Sequence, residues 1–368
     1  MSEARKAADW IGQHAARANV TPSMGRTAIG INALSSATTA VGVVAVGVNS
    51  QYSNTTGDYN TSLGTYSLQT GTTAYENVAV GYNAMFSATT AYRNTGVGMS
   101  VFSALTSGYS NCSVGYNSQI STTTGYQNVS VGSNSMYANT TGYANIGIGN
   151  GALYDNTTAY TNCAVGSSAL RHNASGNANA ALGDNALRYK QDGTNNTSYS
   201  NCSGLGSGSR VSGSNQVQLG DSATTTYAYG AVQDRSDARD KADITESDLG
   251  LDFILRLKPR KYRVDYREDY FEEELRDKDG GDKDGGGVVA RKPLPKDGSK
   301  KRNRFHYGLV AQEVKDSMDA LGVDFAGYQD HSVNGGCDVK SLGYTEFIAP
   351  LIKAVQELAA RVVDLEAK

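Results

Sequence analysis

Glycine returns every 17 residues through the first half of the chain, ten times without a slip in spacing. These glycines are Gly30, Gly47, Gly64, Gly81, Gly98, Gly115, Gly132, Gly149, Gly166 and Gly183. A branched apolar residue precedes each of them, from Ile29 to Leu182. Self-similarity at a short fixed period is typical of a solenoid, in which each repeat buries its apolar side only by stacking on its neighbours. The sequence therefore predicts a stack of coils, one for each period.

The coils are predicted to be β-structure. Helix-pair repeats need about 33 residues or more, and this segment is rich in Gly, Ser, Thr and Asn, which are poor helix formers. A strand before each glycine fits better, because Val129 and Val131 then point one way while Asn128 and Ser130 point the other. The glycine itself marks a corner or a close approach of two backbones. At about 4.8 Å a coil, ten coils make a rod about 48 Å long.

Three further columns repeat with the same period. Asn stands four residues before the glycine eight times running, from Asn60 to Asn179. Such a ladder is expected to satisfy the backbone and itself. Four residues after the glycine, seven coils carry a large apolar residue: Leu68, Met85, Phe102, Met136, Leu153, Leu170 and Leu187. Tyr stands six residues before the glycine at Tyr75, Tyr92, Tyr109, Tyr126, Tyr143 and Tyr160.

The tyrosine stripe has two interpretations. The rings either stack coil on coil and stabilise the rod, or they bind a receptor, since aromatic faces are platforms for the flat apolar surfaces of sugars. Because the tyrosines are expected to lie on the same polar side of the strand as Asn, their rings are expected to be exposed or to form a seam between chains. Cys112 and Cys163 share one column three coils apart, about 14 Å, which is too far for a disulfide. These two cysteines are expected to be small inward-facing residues.

Charge divides the chain near residue 230. Between Gly30 and Gly230 there are six acidic and five basic residues, whereas both signs are intermixed from Asp234 onward. A net charge of −3 without a basic stripe predicts no nucleic-acid partner, and no apolar run approaches the ~20 residues of a membrane span. Nothing in the sequence predicts a cofactor or a metal site. We predict an attachment segment over 1–25, a β-solenoid shaft or head over 26–230, and a separate domain over 231–368.

The two ends of the shaft are atypical. The N-terminal segment MSEARKAADWIGQHAARANV lacks the apolar core of a secretory signal. It is predicted to form a short amphipathic helix that attaches the protein or starts a trimer, with a frayed end as the alternative. At the other end, the period breaks at RYKQDGTNNTSYSN, and Gly206 and Gly220 follow 14 residues apart. The stretch SGLGSGSRVSGSNQVQLG resembles the left-handed β-roll of YadA-like adhesin heads, which are trimeric.

Three motifs follow the shaft in order: DRSDARDKADI at 234–244, LDFILRLKPRKYRVD at 251–265 and FHYGLVAQEV at 305–314. Together they resemble the endosialidase-type C-terminal intramolecular chaperone, a family that also occurs at the ends of phage tail fibres and tailspikes and in some eukaryotic membrane-bound transcription factors. The resemblance covers about residues 234–368. It implies an α+β domain that helps three fibre chains to align and is then cut off.

The resemblance also implies the residues of the cut. In family members a serine and the lysine five places later form the cleaving dyad, which corresponds to Ser236 and Lys241, and the severed bond is Arg235–Ser236. A serine hydroxyl becomes a nucleophile only when a base takes its proton, and a lysine serves as that base only when burial favours its neutral form. Asp237 and Arg239 match motif positions and are expected to hold the segment. The alternative is that SDARDK is a charged turn at a domain junction.

The C-terminus predicts oligomerisation independently of the resemblance. Six apolar residues fall at spacings of 3, 4, 3, 4 and 3, which is the a/d seam of a coiled coil: Ile348, Leu351, Val355, Leu358, Val362 and Leu365. The terminal helix is predicted over 346–368, and the alternative is that it packs on its own domain. β-Branched a positions with Leu at d favour dimers in isolated coils, whereas the family implies trimers. Residues 277–303, dominated by Gly, Pro and charge, are predicted to be a disordered loop.

The resulting hypothesis is a homotrimeric phage tail fibre or receptor-binding protein, made in the host cytoplasm and carried on the virion. The N-terminus would bind other tail or baseplate proteins, and the shaft would bind a glycan or protein of the host surface. The only enzymatic activity expected is a single-turnover Ser-Lys autoproteolysis. A bacterial trimeric surface adhesin and a tailspike polysaccharide depolymerase are the alternatives. Depolymerisation needs two carboxyls about 5 to 10 Å apart, and the shaft acids are scattered; Asp58 and Glu76 fall on neighbouring coils but at different positions of the repeat.

Overall fold

The computed structural model describes residues 25–227, 236–275, 289–334 and 336–368. The predicted N-terminal helix and Arg235 lie outside the described residues. The chain forms two compact units, one that runs to Thr224 and a second that begins at Thr225 and also takes in Gln191–Thr194.

The first unit is a parallel β-solenoid, as the period predicts. Its twelve strands form one sheet in chain order, and each three-residue strand pairs in register with the next, as Val129 does with Ile146. The strands are β1 Thr27–Ile29, β2 Val44–Val46, β3 Thr61–Leu63, β4 Val78–Val80, β5 Thr95–Val97, β6 Cys112–Val114, β7 Val129–Val131, β8 Ile146–Ile148, β9 Cys163–Val165, β10 Ala180–Leu182, β11 Ser203–Leu205 and β12 Val217–Leu219. The insertion after Gly183 lengthens one coil, and the sheet continues through it, since Ala180 pairs with Ser203.

The glycine column lies where successive coils come closest. Gly132 has φ +132°, and a Cβ added there would lie 2.6 Å from the carbonyl oxygen of Gly149 in the next coil. Both the backbone conformation and the contact exclude a side chain. The predicted corner with a close backbone approach is confirmed.

The interior of each coil is filled by the residue that stands four positions after the glycine. Met136 and Leu153, four residues after their glycines, are fully buried and adopt the left-handed conformation, with φ 50° and 52°. That conformation is costly for a residue with a side chain. It is held by hydrogen bonds between coils, such as Met136 N–H to the carbonyl of Ala152 at 2.9 Å. In each coil the side chain at this position fills the interior, and the coil of Phe102 also buries Leu105 completely.

Because that side chain fills the core, the strand contributes only a small residue to it. Ser130 is fully buried in the middle of β7, whereas its neighbours Val129 and Val131 are 36% and 38% exposed. The residues alternate as predicted, but in the opposite sense: the branched residues lie on the outer face, and the side that carries Asn128 and Ser130 is the buried one. Cys112 and Cys163 stand at the first strand position beside those valines and are half-buried. The expectation that they face inward is wrong, because this column points away from the core.

The asparagine column is a continuous buried ladder. Asn128 Nδ2 donates to Asn111 Oδ1 at 3.2 Å and to the carbonyl of Gly142 at 2.8 Å. Its Oδ1 accepts from the backbone N–H and the Nδ2 of Asn145. The same bonds recur from Asn77 to Asn179. The ladder satisfies both the backbone and itself, as predicted.

The second unit mixes short strands and helices. Its elements are α1 Leu251–Arg256, β13 Arg260–Arg263, β14 Phe271–Leu275, β15 Val289–Pro293, β16 Phe305–Gly308, α2 Ala311–Leu321, β17 Tyr328–Asp330, β18 Lys340–Leu342 and α3 Ile348–Glu366. Three antiparallel pairs form, β13 with β16, β14 with β15 and β17 with β18. Phe253, Val314, Met318, Phe325 and Phe347 form the core that joins α1, α2 and the start of α3.

Two details differ from the sequence expectation. Residues 289–303 of the predicted loop include β15, which pairs with β14 from Phe271↔Pro293 to Leu275↔Val289. Backbone pairing thus orders this part despite its loop-like composition. Residues 277–288 lie outside the described residues. The terminal helix begins at Ile348, after a single 3-10 turn over Tyr344–Phe347.

Candidate cleavage site, aromatic ladder and exposed seam

The structure brings Ser236 and Lys241 together. Lys241 Nζ donates a hydrogen bond to Ser236 Oγ at 2.8 Å. A single 3-10 turn over Ala238–Asp240 separates the two residues and reverses the chain enough to bring the side chains into contact. Both residues are exposed within the single chain. The separation is within the hydrogen-bond reach that a nucleophile and its base require, with the lysine as the donor in this contact.

Asp237 and Arg239 fix that turn. The Asp237 carboxylate accepts from the backbone N–H of Arg239 at 2.9 Å, which caps the turn, and the Arg239 side chain donates to both oxygens of the same carboxylate. These hydrogen bonds hold the pKa of Asp237 below its ordinary value. The two side chains hydrogen-bond each other within this turn, an arrangement that suits the expected holding role.

The second and third motifs are joined by strand pairing. β13 lies within LKPRKYRVD and β16 within FHYGLVAQEV, and the two pair from Arg260↔Gly308 to Arg263↔Phe305. Arg260 also donates to Glu313 Oε2 at 2.9 Å, at the start of α2. This guanidinium holds the pKa of Glu313 below its ordinary value. The second and third motifs, which are far apart in sequence, therefore meet in one two-stranded sheet of the second unit.

The terminal helix leaves its apolar seam uncovered. The six seam residues are 47% to 69% exposed. A different, narrower face packs on the unit itself, through Pro350, Lys353, Ala354 and Glu357. Glu357 Oε2 there accepts from the backbone N–H of Leu251 at 2.8 Å, which ties the helix to α1. The helix therefore packs on its own unit through one face, which is the alternative raised by the sequence, while the residues of the predicted seam remain exposed in the single chain.

The tyrosine column is a stacked ladder. Successive rings from Tyr75 to Tyr160 have centroids 4.8 to 5.0 Å apart and planes within 7° of parallel. Ring faces in such a stack cover one another. A receptor at this stripe would therefore contact ring edges and hydroxyls rather than open faces.

Asp58 and Glu76, the acids on neighbouring coils, each bind another group of the shaft. Asp58 Oδ1 accepts from the backbone N–H of Val41 at 2.7 Å, and Glu76 pairs with Arg93 at 2.7 Å. Sequence reasoning missed another pair, since His172 Nδ1 lies 2.8 Å from Asp155 Oδ2. The two residues are one period apart and therefore occupy equivalent positions on successive coils, which is the signal in the sequence that could have identified the pair. In the part of the chain that the structure covers, no cluster of three metal-ligating side chains occurs.

Comparison of the chain with protein-family models, with curated proteins and with solved structures gave no match. Among the described helices, none combines the length and the apolar character needed to cross a membrane. The parallel β-solenoid places the chain in an architecture compatible with fibre, tailspike and adhesin-type structural proteins.

Proposed function

We propose that this chain is a homotrimeric tail-fibre or receptor-binding protein of a phage, whose second unit is a trimerisation chaperone able to cut the Arg235–Ser236 bond. The observation that carries the proposal is the free apolar seam of α3, because a row of large apolar side chains left in water is typical of a helix that binds other helices. Three copies of α3 would cover the seam.

The shaft supports the same conclusion. The third position of every one of its twelve strands carries a branched apolar residue that faces outward, such as Ile148 at 38% exposed. Five of the strands carry a second one at the first position, such as Ile146 at 39% exposed, and together these residues form an apolar stripe along the sheet. Large exposed apolar patches commonly mark interaction surfaces. In the proposed trimer these stripes face the other two chains, while the N-terminal segment binds tail or baseplate proteins and the outer surface binds a host glycan or protein.

The autoproteolysis proposal rests on the hydrogen bond between Ser236 and Lys241. Ser236 Oγ attacks the carbonyl carbon of Arg235 while Lys241 takes the hydroxyl proton, and the bond to the Ser236 nitrogen breaks as that nitrogen gains a proton. Water then hydrolyses the ester between Arg235 and Ser236. Since an amine is a good base only when its charge is disfavoured by burial or a neighbouring cation, the exposed pair would become active when neighbouring copies cover it.

Cleavage is tested by denaturing electrophoresis of freshly expressed protein. The wild type is expected to give fragments 1–235 and 236–368, because the dyad adjoins the bond it cuts. Ser236→Ala and Lys241→Met are expected to remain whole. Ser247→Ala, which changes a serine of the same unit outside the dyad, should split like the wild type. An intact wild type, or cleavage of Ser236→Ala, would contradict the dyad. The oligomeric state is tested separately, by the mass of the assembly in solution.

A further inference from the structure

One outward position of the shaft repeat changes its chemical character halfway along the rod. It is the residue directly after the repeating glycine. In the first six coils this residue is apolar five times, with Thr65 as the exception, and we call the five residues the apolar row: Ile31, Val48, Tyr82, Met99 and Tyr116. The next four coils carry polar residues at the same position: Ser133, Asn150, Ser167 and Asp184.

The backbone places the same demand on this position in both halves of the rod. The carbonyl of Met99, in the first half, accepts a hydrogen bond from the N–H of Asn117 in the next coil at 3.0 Å. The carbonyl of Asn150, three periods later, accepts the equivalent bond from Ser168 at 2.8 Å. Because the second half shows that the coil accepts Ser, Asn or Asp here, packing within the rod does not require an apolar residue.

The single chain leaves the apolar row in water. Its five residues are 36% to 55% exposed. Tyr82 remains 46% exposed although its ring contacts that of Tyr66 on the preceding coil, with the two centroids 5.8 Å apart. Between residues 30 and 120 the only charged residues are Asp58, Glu76 and Arg93, and none of them stands in the row or in the strands. An exposed apolar surface without charge commonly marks an interaction site.

The row widens the apolar stripe of the strands. Only the repeating glycine separates each row residue from the third strand position, as Gly98 separates Met99 from Val97. Interfaces between permanently associated copies are more apolar than other surfaces, and they are rich in Tyr and Met and poor in charge. A saccharide would instead need polar groups to fix its orientation, and the side chains of Ile31, Val48 and Met99 offer none. The chemistry of the row therefore fits a second copy of the same chain.

We propose that the apolar row binds a neighbouring copy of this chain, so that the shafts meet along a wider face over their first six coils than over the others. This contact rests on the proposed trimer, and it specifies which half of the rod is packed more closely. From Ile31 to Tyr116 the row spans five coil spacings, or about 24 Å at ~4.8 Å each. Beyond Tyr116 the same position faces water, which suits the polar residues that stand there.

The test is photo-crosslinking of the purified full chain in its uncut Ser236→Ala form. Tyr82→benzoylphenylalanine places the photoreactive group in the row, and Asn150→benzoylphenylalanine places it at the same position four periods later. Val48→benzoylphenylalanine is examined in parallel, so that the result does not depend on one substitution. After irradiation, denaturing electrophoresis is expected to show a product of twice the 38.8 kDa of one chain for the labels at Tyr82 and Val48, and none for the label at Asn150.

Sedimentation equilibrium of each chain before irradiation separates the outcomes. A mass of one chain for Ser236→Ala would overturn the proposed trimer and this contact with it. A trimer in which neither row label forms the larger product would overturn the contact alone, since the row would then be open to water or covered by its own chain. A larger product from the label at Asn150 would also overturn it, because the contact would not be confined to the first six coils. Loss of the trimer with the row labels alone would support the contact, because added bulk disrupts a packed interface.

Discussion

Gly132→Ala is expected to lower the free energy of unfolding of the shaft by about 3–5 kcal/mol, from backbone strain and overpacking together. The new Cβ would lie 2.6 Å from the carbonyl oxygen and 2.7 Å from the carbonyl carbon of Gly149. Both belong to backbone held by hydrogen bonds between coils, such as Gly149 N–H to the carbonyl of Val131 at 2.8 Å. Relief of the overlap would therefore require the coils to separate. Guanidinium titration followed by circular dichroism measures the change.

Gly208→Ala is the matched control in the same unit. Gly208 also has positive φ, +65°, but a Cβ there meets no atom closer than 3.9 Å. It should cost only the backbone term, about 1–2 kcal/mol. Equal destabilisation by the two changes would mean that the effect of Gly132→Ala comes from its backbone conformation alone. It would contradict the close approach of successive coils.

Asn128→Asp is expected to destabilise the shaft by a similar amount although it changes only one atom of the side chain. The aspartate can still accept from Asn145, but it cannot donate to Asn111 Oδ1 or to the carbonyl of Gly142. Each buried group left without its bond costs about 1–3 kcal/mol, and a carboxylate without a cation is costly to bury. We expect a loss of about 3–5 kcal/mol at neutral pH, measured by the same titration.

The pH dependence gives this prediction a second readout. Burial would raise the pKa of the new carboxyl above its unfolded value, so its destabilising effect should grow as pH rises through the unfolded value and shrink below it. Asn150→Asp changes an exposed asparagine one coil further on and should cost less than about 0.5 kcal/mol at any pH. A mild, pH-independent effect of Asn128→Asp would refute the buried ladder.

The sequence was most informative where a column of the repeat does one physical task in every coil. Gly149 and Asn145 could be interpreted from periodicity alone, because a backbone contact and an amide ladder each demand one residue type. The left-handed backbone of Leu153, with φ 52°, could not be predicted in this way. No local signal marks it, since the conformation is imposed by hydrogen bonds from the neighbouring coils.

The sequence also did not predict contacts that are set by the room that neighbouring side chains leave. The inward side of β8 is Gly147 because Met136 already occupies the interior, with its Cε 3.1 Å from where a Cβ would lie. Arg171 is similar, because its burial depends on the room left by Gly151. In the second unit, the motifs predicted the contact of Ser236 with Lys241, whereas the pairing of β15 was hidden by its polar composition.

If the helix seam is the interface between chains, a charge placed within it should disrupt the assembly. Leu358→Glu introduces charge at the centre of the exposed row, whereas Gln356→Glu adds the same charge on the same helix outside the seam. Within a single chain both positions are exposed, so neither change should alter folding of the second unit. Only the first should disrupt an assembly in which three seams meet, because a buried unpaired carboxylate there is costly.

Sedimentation equilibrium of the uncut Ser236→Ala chain tests the proposed assembly most directly. We expect a single species of three times the 38.8 kDa of one chain, with a mass that Gln356→Glu leaves unchanged and Leu358→Glu lowers. A mass of one chain at every concentration, or a trimer indifferent to Leu358→Glu, would contradict the proposed role of the seam.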